Sequence, residues 1–385
     1  MAWDDTAGAV KFMPIADLTA EASPATGDVV LIYGAEGDLR AVDWGDLPGA
    51  GIGSGDVVGP ASATDNAIAR FNGTGGKTIQ NTGVSIDDSD NLSIPGIIAR
   101  TLRPMELPPG RLTLSTGVPV INSTVSGAGT LYYTPHVGDV LWLYDGSAGW
   151  DAVAFSELSI ALSGGTASRL HDVFVYNNAG TATLELTAWT NDTTRATALV
   201  LQNGRYVQTG ATTRLYLGTI YIDGSKQCNF ITGGVAANGT AGVVGLWNAY
   251  HRHRWSTFSG DSTDSWSYTT AGWRVANNSS TLRTSFVVGL VGNSVDARYL
   301  YASNYSGTTG RNAIGYDSTS VPYDAMGIAT AGPAGAQSAM IASIIRPEVG
   351  YHYATALEFG ATTVTWYGDV GLATVQSGLH CSGMF

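Results

Sequence analysis

Apolar and polar residues alternate in short runs along most of this chain, and the runs are separated by Gly, Asn and Asp. DVLWLYDGSAGWDAVAF sets Asp145-Gly146 between two alternating runs, and DVFVYNNAGTATLELTAW does the same with Asn177-Asn178-Ala179-Gly180. ALVLQNGRYVQ and TIYIDGSKQCNFI supply Asn203-Gly204 and Asp223-Gly224. A two-residue period sends successive side chains to opposite faces of a strand, and Asn-Gly or Asp-Gly tolerates the positive φ of tight hairpin turns. Four such signals predict antiparallel β-sheet between 109 and 233. Beyond 234 the pattern continues in DSWSYTTAGWRVAN, TLRTSFVVGLVGN, ARYLYASNYSG and TTVTWYGDVG. Trp266 and Tyr268 share a face there, as do Phe286 and Val288. Helix is expected only in short pieces such as QSAMIASII at 337 to 345, ended by Arg346-Pro347. No repeat of 20 to 50 residues is visible, which disfavours a solenoid or parallel β-helix.

The first hundred residues differ. VVLIY and LRAVDW flank GAEGD and predict a hairpin, and GAGIGSGD at 49 to 56 reads as a flexible joint. From Asp56 to Leu92 the apolar residues are scattered (Ile68, Phe71, Ile79, Val84, Ile86). Ordering each residue costs about 1–2 kcal/mol, so this segment is too poor in apolar area to build a core alone and calls for identical neighbours. Pro95, Pro104, Pro108 and Pro109 then forbid regular helix or central strand. The expected organisation is 1–57, an N-terminal segment; 58–108, a stalk; 109–233, an antiparallel β domain; and 234–385, a distal β-sandwich.

Composition narrows the class. Gly occurs 50 times in 385 residues and charged residues make up 13%, against averages near 7% and 25%, which favours turns over long charged helices. The 10 Trp, 18 Tyr and 9 Phe supply bulky groups that disordered chains lack. A formal charge of −12, with Lys only at 11, 77 and 226, opposes nucleic-acid binding, which needs clustered cations on phosphates. The N-terminus has no basic region followed by an apolar run, so no signal peptide is expected, and no apolar stretch is long enough to span a bilayer. Cys228 and Cys381 are too few for a disulfide framework.

Candidate chemistry is sparse. His251 and His253 in LWNAYHRHRW would lie on one side of a strand, but a tetrahedral metal site needs about four ligands, and the reading adopted is a solvated strand with Arg252 and Arg254 opposite. Asp87, Asp88 and Asp90 suit Ca²⁺ as oxygen donors yet lack the Gly and the Glu of an EF-hand loop. No pair of the seven Glu residues (21, 36, 106, 157, 185, 348, 358) is singled out for glycoside cleavage. There is no G-x-S-x-G elbow, and GTGGKT at 73 to 78 lacks the first Gly of a phosphate loop. Neither metal, cofactor nor catalytic residue is expected. Aromatic rings remain, since Trp and Tyr stack on sugar faces while their polar tips stay wet. Trp255, Trp266, Trp273, Tyr299, Tyr301, Tyr305, Trp366 and Tyr367 are the binding candidates, with at least one of Tyr299, Tyr301 and Tyr305 expected to reach solvent.

GPASATDNAIARF at 59 to 71, with NGTGGKTIQNTGVSIDDSDNL after it, resembles a segment recurrent in tail fibres and tail spikes of bacteriophages. The N-terminal hairpin region also looks like the segment near the virion attachment point of such fibres. GTLYYTPHVGDVLWLYDG, FSELSIALSG, TNDTTRATALVLQNGRYVQTGATTRLYLGTI, LWNAYHRHRW and TDSWSYTT resemble a module found in phage structural proteins. The resemblance implies an all-β virion protein: a homotrimeric tail fibre or receptor-binding protein with a thin interwound stalk and two antiparallel sandwich or barrel-like domains. Its implied partners are two further copies of itself, tail or baseplate proteins through the N-terminus, and a host glycan or outer-membrane protein. Its implied place is the phage tail, after synthesis in the host cytoplasm. A head fibre, decoration or collar component without a receptor, and a glycan depolymerase spike, are the alternatives.

Overall fold

The computed structural model describes residues 106–385, apart from 148, 306–309, 331–334 and 362–363, and also 62, 64–72 and 78–89. Backbone alone is described for Ala2–Asp4, Ala9–Lys11, Val29–Tyr33, Leu39–Asp43 and Leu92–Ser93, and for residues 305, 325–330 and 335–336. The whole of the expected joint at 49–56 and most of the Pro-rich link after Ser93, with Asp90, Pro95 and Pro104, lie outside the described residues. The chain divides into two compact units, Met1–Gly96 and Ile97–Phe385.

In the first unit VVLIY and LRAVD pair antiparallel as Val29–Tyr33 and Leu39–Asp43, the hairpin that alternation around GAEGD predicts. Ala67–Phe71 pairs with Ile79–Ile86, which pairs in turn with Leu92–Ser93. Within 64–72 and 78–89 no residue is buried. Ile68, Phe71 and Ile86 are 39%, 56% and 42% exposed. This small sheet is therefore held by its hydrogen bonds, including Thr82 Oγ1 to the Ile68 carbonyl at 2.6 Å, without an apolar face turned inward. A hairpin lacking such a face is marginal in water.

The second unit is all-β, with helix among the described residues confined to the 3-10 turns Leu162–Gly164 and Ala276–Asn278. One sheet runs Thr181–Ala188, Arg169–Asn178, Ala211–Ile222, Arg205–Gln208, Leu199–Gln202, with Leu246–Asn248 also on Ala211–Ile222. The sheet Leu158–Ala161, Thr130–Pro135, Gly110–Thr113 and the hairpin Val140–Tyr144/Trp150–Ala154 pack against it through Leu112, Leu131, Leu143, Val173, Val175 and Leu217. Two larger sheets follow. The first is ordered Pro322–Thr330, Gly310–Tyr316, Gly350–Gly360, Arg283–Val288, Gly242–Val244, Cys228–Ile231, Val125–Ala128, and Gly272–Val275 also pairs Gly350–Gly360. The second is ordered Gly233–Ala236, Arg254–Asp261, Gly378–Met384, Val295–Tyr305, Val364–Tyr367, Ser265–Tyr268, with Gly335–Ile345 on the other side of Val295–Tyr305. Trp255, Phe286, Tyr299, Tyr301, Ala354, Ala356 and Leu379 fill the core between them.

Three expectations change here. The break at 233/234 does not separate two cores. Val125–Ala128 and Cys228–Ile231 belong to the first of the two larger sheets, Leu246–Asn248 pairs in the sheet of Ala211–Ile222, and a single buried cluster runs from Leu112 to Phe385. Asn248 fastens the crossing: Leu112 N donates to its Oδ1 at 2.7 Å and its Nδ2 donates to the Leu112 carbonyl at 3.2 Å. Second, QSAMIASII is strand. Gly335–Ile345 pairs residue by residue with Val295–Tyr305, and Ile341, Ser343 and Ile345 point inward while Met340, Ala342 and Ile344 point out. Period-two burial and a long pairing partner override the helix propensity of Ala and Met. Third, Asp223-Gly224 closes no hairpin, because Ala211–Ile222 and Cys228–Ile231 enter different sheets. Asp223 Oδ1 instead accepts from Ser225 N and Gln227 N, both at 2.9 Å, and turns the chain from one sheet to the other. The other three turns do join paired strands. At Asn203-Gly204 both φ angles are positive, as a tight hairpin turn requires.

Candidate functional site

Most of the ring candidates lie inside the protein. On Val295–Tyr305 the residues Val295, Ala297, Tyr299, Tyr301 and Ser303 all face the core, so Tyr299 and Tyr301 are buried together, their ring centroids 5.7 Å apart. Neither reaches solvent; the outward face carries Asp296, Arg298 and Leu300. The side chain of Tyr305 lies outside the described residues. Trp255 is buried 6.0 Å from Phe286 between ring centroids. Trp266 and Trp366 sit opposite each other across paired strands, and both indoles are pinned inside. Trp266 Nε1 donates to Glu358 Oε2 at 2.7 Å and Trp366 Nε1 to Asn312 Oδ1 at 2.9 Å. These indole N–H groups serve the core, where an unpaired donor would cost about 1–3 kcal/mol.

Trp273 and Tyr367 are half-buried. Trp273 belongs to a row that crosses three strands: it lies opposite Phe359, and Phe359 lies opposite Arg311. The Trp273 and Phe359 rings are 5.5 Å apart at 60°, and the Arg311 guanidinium stands 4.9 Å above the Phe359 ring. Arg311 is exposed. Tyr353, on the same face of Gly350–Gly360, carries Arg283 at 4.5 Å, about 20 Å along the strand from Phe359. Tyr351, two residues earlier, is stacked flat on Tyr221 at 3.9 Å. The open part of this sheet face thus offers apolar ring area beside guanidinium donors, a chemistry suited to sugar rings and their hydroxyls. Sequence reading found Trp273 but missed Phe359 and Arg311, because lateral neighbours depend on register between segments almost 90 residues apart.

Two buried carboxylates, Asp172 and Glu358, are already occupied. Asp172 accepts from Arg195 Nε at 2.8 Å and Thr219 Oγ1 at 2.7 Å, and Glu358 from Trp266 Nε1 and Arg274 Nε, each at 2.7 Å. Burial pushes the pKa of both above the usual carboxylate range against the pull of their arginines.

His251 and His253 also differ from expectation. Neither lies on a strand: the chain turns at His251, whose φ is +49°, and Arg254–Asp261 begins only after His253. The turn brings both beside His136, with ring centroids 5.9 and 5.3 Å away, and His253 Nε2 lies 3.3 Å from His136 Nε2. Arg111, buried beneath, donates through Nη1 to the His251 main-chain oxygen and through Nε to the Pro119 carbonyl at 2.9 Å. Desolvation, then the Arg111 charge, hold His136 and His253 below the ordinary histidine pKa. His251 also lines a cavity of about 490 Å³ with Glu106, Leu107, Val137 and Asp139.

No protein-family model matches the chain, and no curated protein matches it significantly. Among solved structures, latent PorU from Porphyromonas gingivalis is similar at 9% identity and a TM-score of 0.22, over 58% of this chain and 20% of that one. The insecticidal delta-endotoxin Cry8Ea1 from Bacillus thuringiensis is similar at 7% identity and a TM-score of 0.20, over 71% of this chain and 51% of that one. The chain thus spans a fifth and about half of those two. At these values neither likeness bears on what it does.

Proposed function

We propose that this chain is a bacteriophage virion structural protein, a homotrimeric tail fibre whose β unit attaches to a glycan on the host surface. The observation that carries the reading is the segment 64–89, which has the fibre-like sequence and, where described, no buried residue. Ile68, Phe71 and Ile86 stand ready for burial against two further copies. Three weak sites held on one stalk bind together far more tightly than one site alone. In this reading the Trp273–Phe359–Arg311 row supplies ring stacking and hydrogen bonds to the sugar.

The test uses the whole chain, since residues 110–233 and 234–385 share a core. The chain is expected to retain on an array of bacterial surface polysaccharides and to compete with virions for host cells. Trp273→Ala should lower the retained fraction at least tenfold, the loss of about 1.4 kcal/mol or more. Retention unchanged by Trp273→Ala would take the row out of the reading, and no retention at all would remove the receptor.

A second reading, a head fibre, decoration or collar component without a receptor, is favoured by the burial of Trp255, Trp266, Tyr299, Tyr301 and Trp366. A trimer that retains on no glycan and competes with no virion would select it.

A further inference from the structure

We propose that His136, His253 and His251 form a binding site for a divalent transition-metal ion of the zinc type, with His136 and His253 as the ligands already in place. Two imidazole nitrogens bound at about 2.0–2.1 Å to one tetrahedral ion stand roughly 3.3–3.4 Å apart. His136 Nε2 and His253 Nε2 are 3.3 Å apart. Among the described residues no set of three or more His, Cys, Asp or Glu side chains is already closed around one point. The third ligand must therefore swing in.

His251 is placed to do so. Its Nε2 is shut off from solvent and takes no hydrogen bond among the described residues. Its ring centroid is 5.9 Å from that of His136. Its backbone is held in the left-handed region, a strained conformation for a non-glycine residue that gathers at functional sites. Arg111 secures this bend by gripping the His251 main-chain oxygen, so the strain is maintained by a buried side chain. His251 also lines a cavity with Glu106 and Asp139. Water would complete the coordination shell, as it does at open zinc sites. The Arg111 charge works against a dication and the two carboxylates work for one, which sets the affinity below that of a closed structural site. His136 lies more than a hundred residues from the other two, so spacing along the chain could not disclose it.

The competing account is a plain hydrogen bond between two neutral imidazoles, one donating through Nε2. To decide, the full-length chain is freed of metal by chelator and dialysis, and Zn²⁺ is titrated in by calorimetry at pH 7.5, with Co²⁺ absorption as a second readout. The expected result is one Zn²⁺ per chain and a Co²⁺ visible spectrum. Binding should weaken at least tenfold in His136→Ala and in His253→Ala, each with the melting temperature of the metal-free wild type. No saturable uptake by the wild type, or uptake unchanged in both variants, would overturn the proposal. A variant that melts early is replaced by His136→Gln or His253→Gln, which keep the ring's volume and a hydrogen-bonding group without an imidazole.

Discussion

Glu358→Ala is expected to destabilise the β unit by about 3–5 kcal/mol, the usual consequence of removing one partner of a buried ion pair. Glu358 is fully buried and joins the paired strands Gly350–Gly360 and Gly272–Val275 to Trp266 of the other large sheet. Its loss leaves Trp266 Nε1 without an acceptor and Arg274, stacked 3.9 Å from the Tyr268 ring, without its counter-charge. Glu358→Gln should cost far less, because an amide oxygen still accepts from Trp266. The pH dependence separates charge from hydrogen bonding. Burial raises the folded-state pKa of Glu358 above its unfolded value of about 4.3. A carboxyl raised in this way holds its proton more tightly when folded, so its contribution is complete below about pH 4.3 and is lost as pH climbs through the folded value. Wild type should therefore lose stability relative to Glu358→Gln as pH rises above about 4.3. Urea midpoints of the three proteins across that range check this. Equal losses for Ala and Gln would mean that the charge, rather than the acceptor, holds the two sheets there.

Phe71→Asp is expected to abolish self-association. Phe71 is the most exposed of the large apolar residues described in 64–89, and it sits on the strand Ala67–Phe71 opposite Ile79. Burying such a side chain is worth about 1.5–3 kcal/mol, and in the proposed trimer three copies would meet. A carboxylate in its place would add three like charges at close quarters around the stalk. Sedimentation of the variant should show a monomer whose β unit melts at the wild-type temperature, since Met1–Gly96 and Ile97–Phe385 are separate compact units. A variant that keeps the wild-type mass would place the contact between copies elsewhere.

The strands of this protein were legible because alternation and turn chemistry are local. Asn203-Gly204 and the 177–180 turn carry their own φ requirements, and the scatter of apolar residues around Phe71 foretold a segment without a core of its own. What failed was whatever depended on partners distant in sequence. QSAMIASII carries the helix formers Gln337, Ala339, Met340 and Ala342, and the pairing with Val295–Tyr305 beside it makes it a strand. The boundary at 233 looked clean because GG follows a strand, yet Val125–Ala128 and Leu246–Asn248 cross it in opposite directions. The ring candidates were judged by ring type, whereas their exposure was decided by which parity of each strand faces the second sheet. Tyr299 and Tyr301 share the core parity; Trp273 lies on an added strand at the rim of its sheet, and so stays half open. His136 and Arg311 had no local signal at all.

The proposed trimer is tested by the solution mass of the purified chain, measured by light scattering. The account expects about three times the 40.0 kDa of one chain, near 120 kDa, unchanged on dilution. A mass of 40.0 kDa at the concentrations used for binding would contradict it, because the exposed Ile68, Phe71 and Ile86 would then have no second copy to cover them.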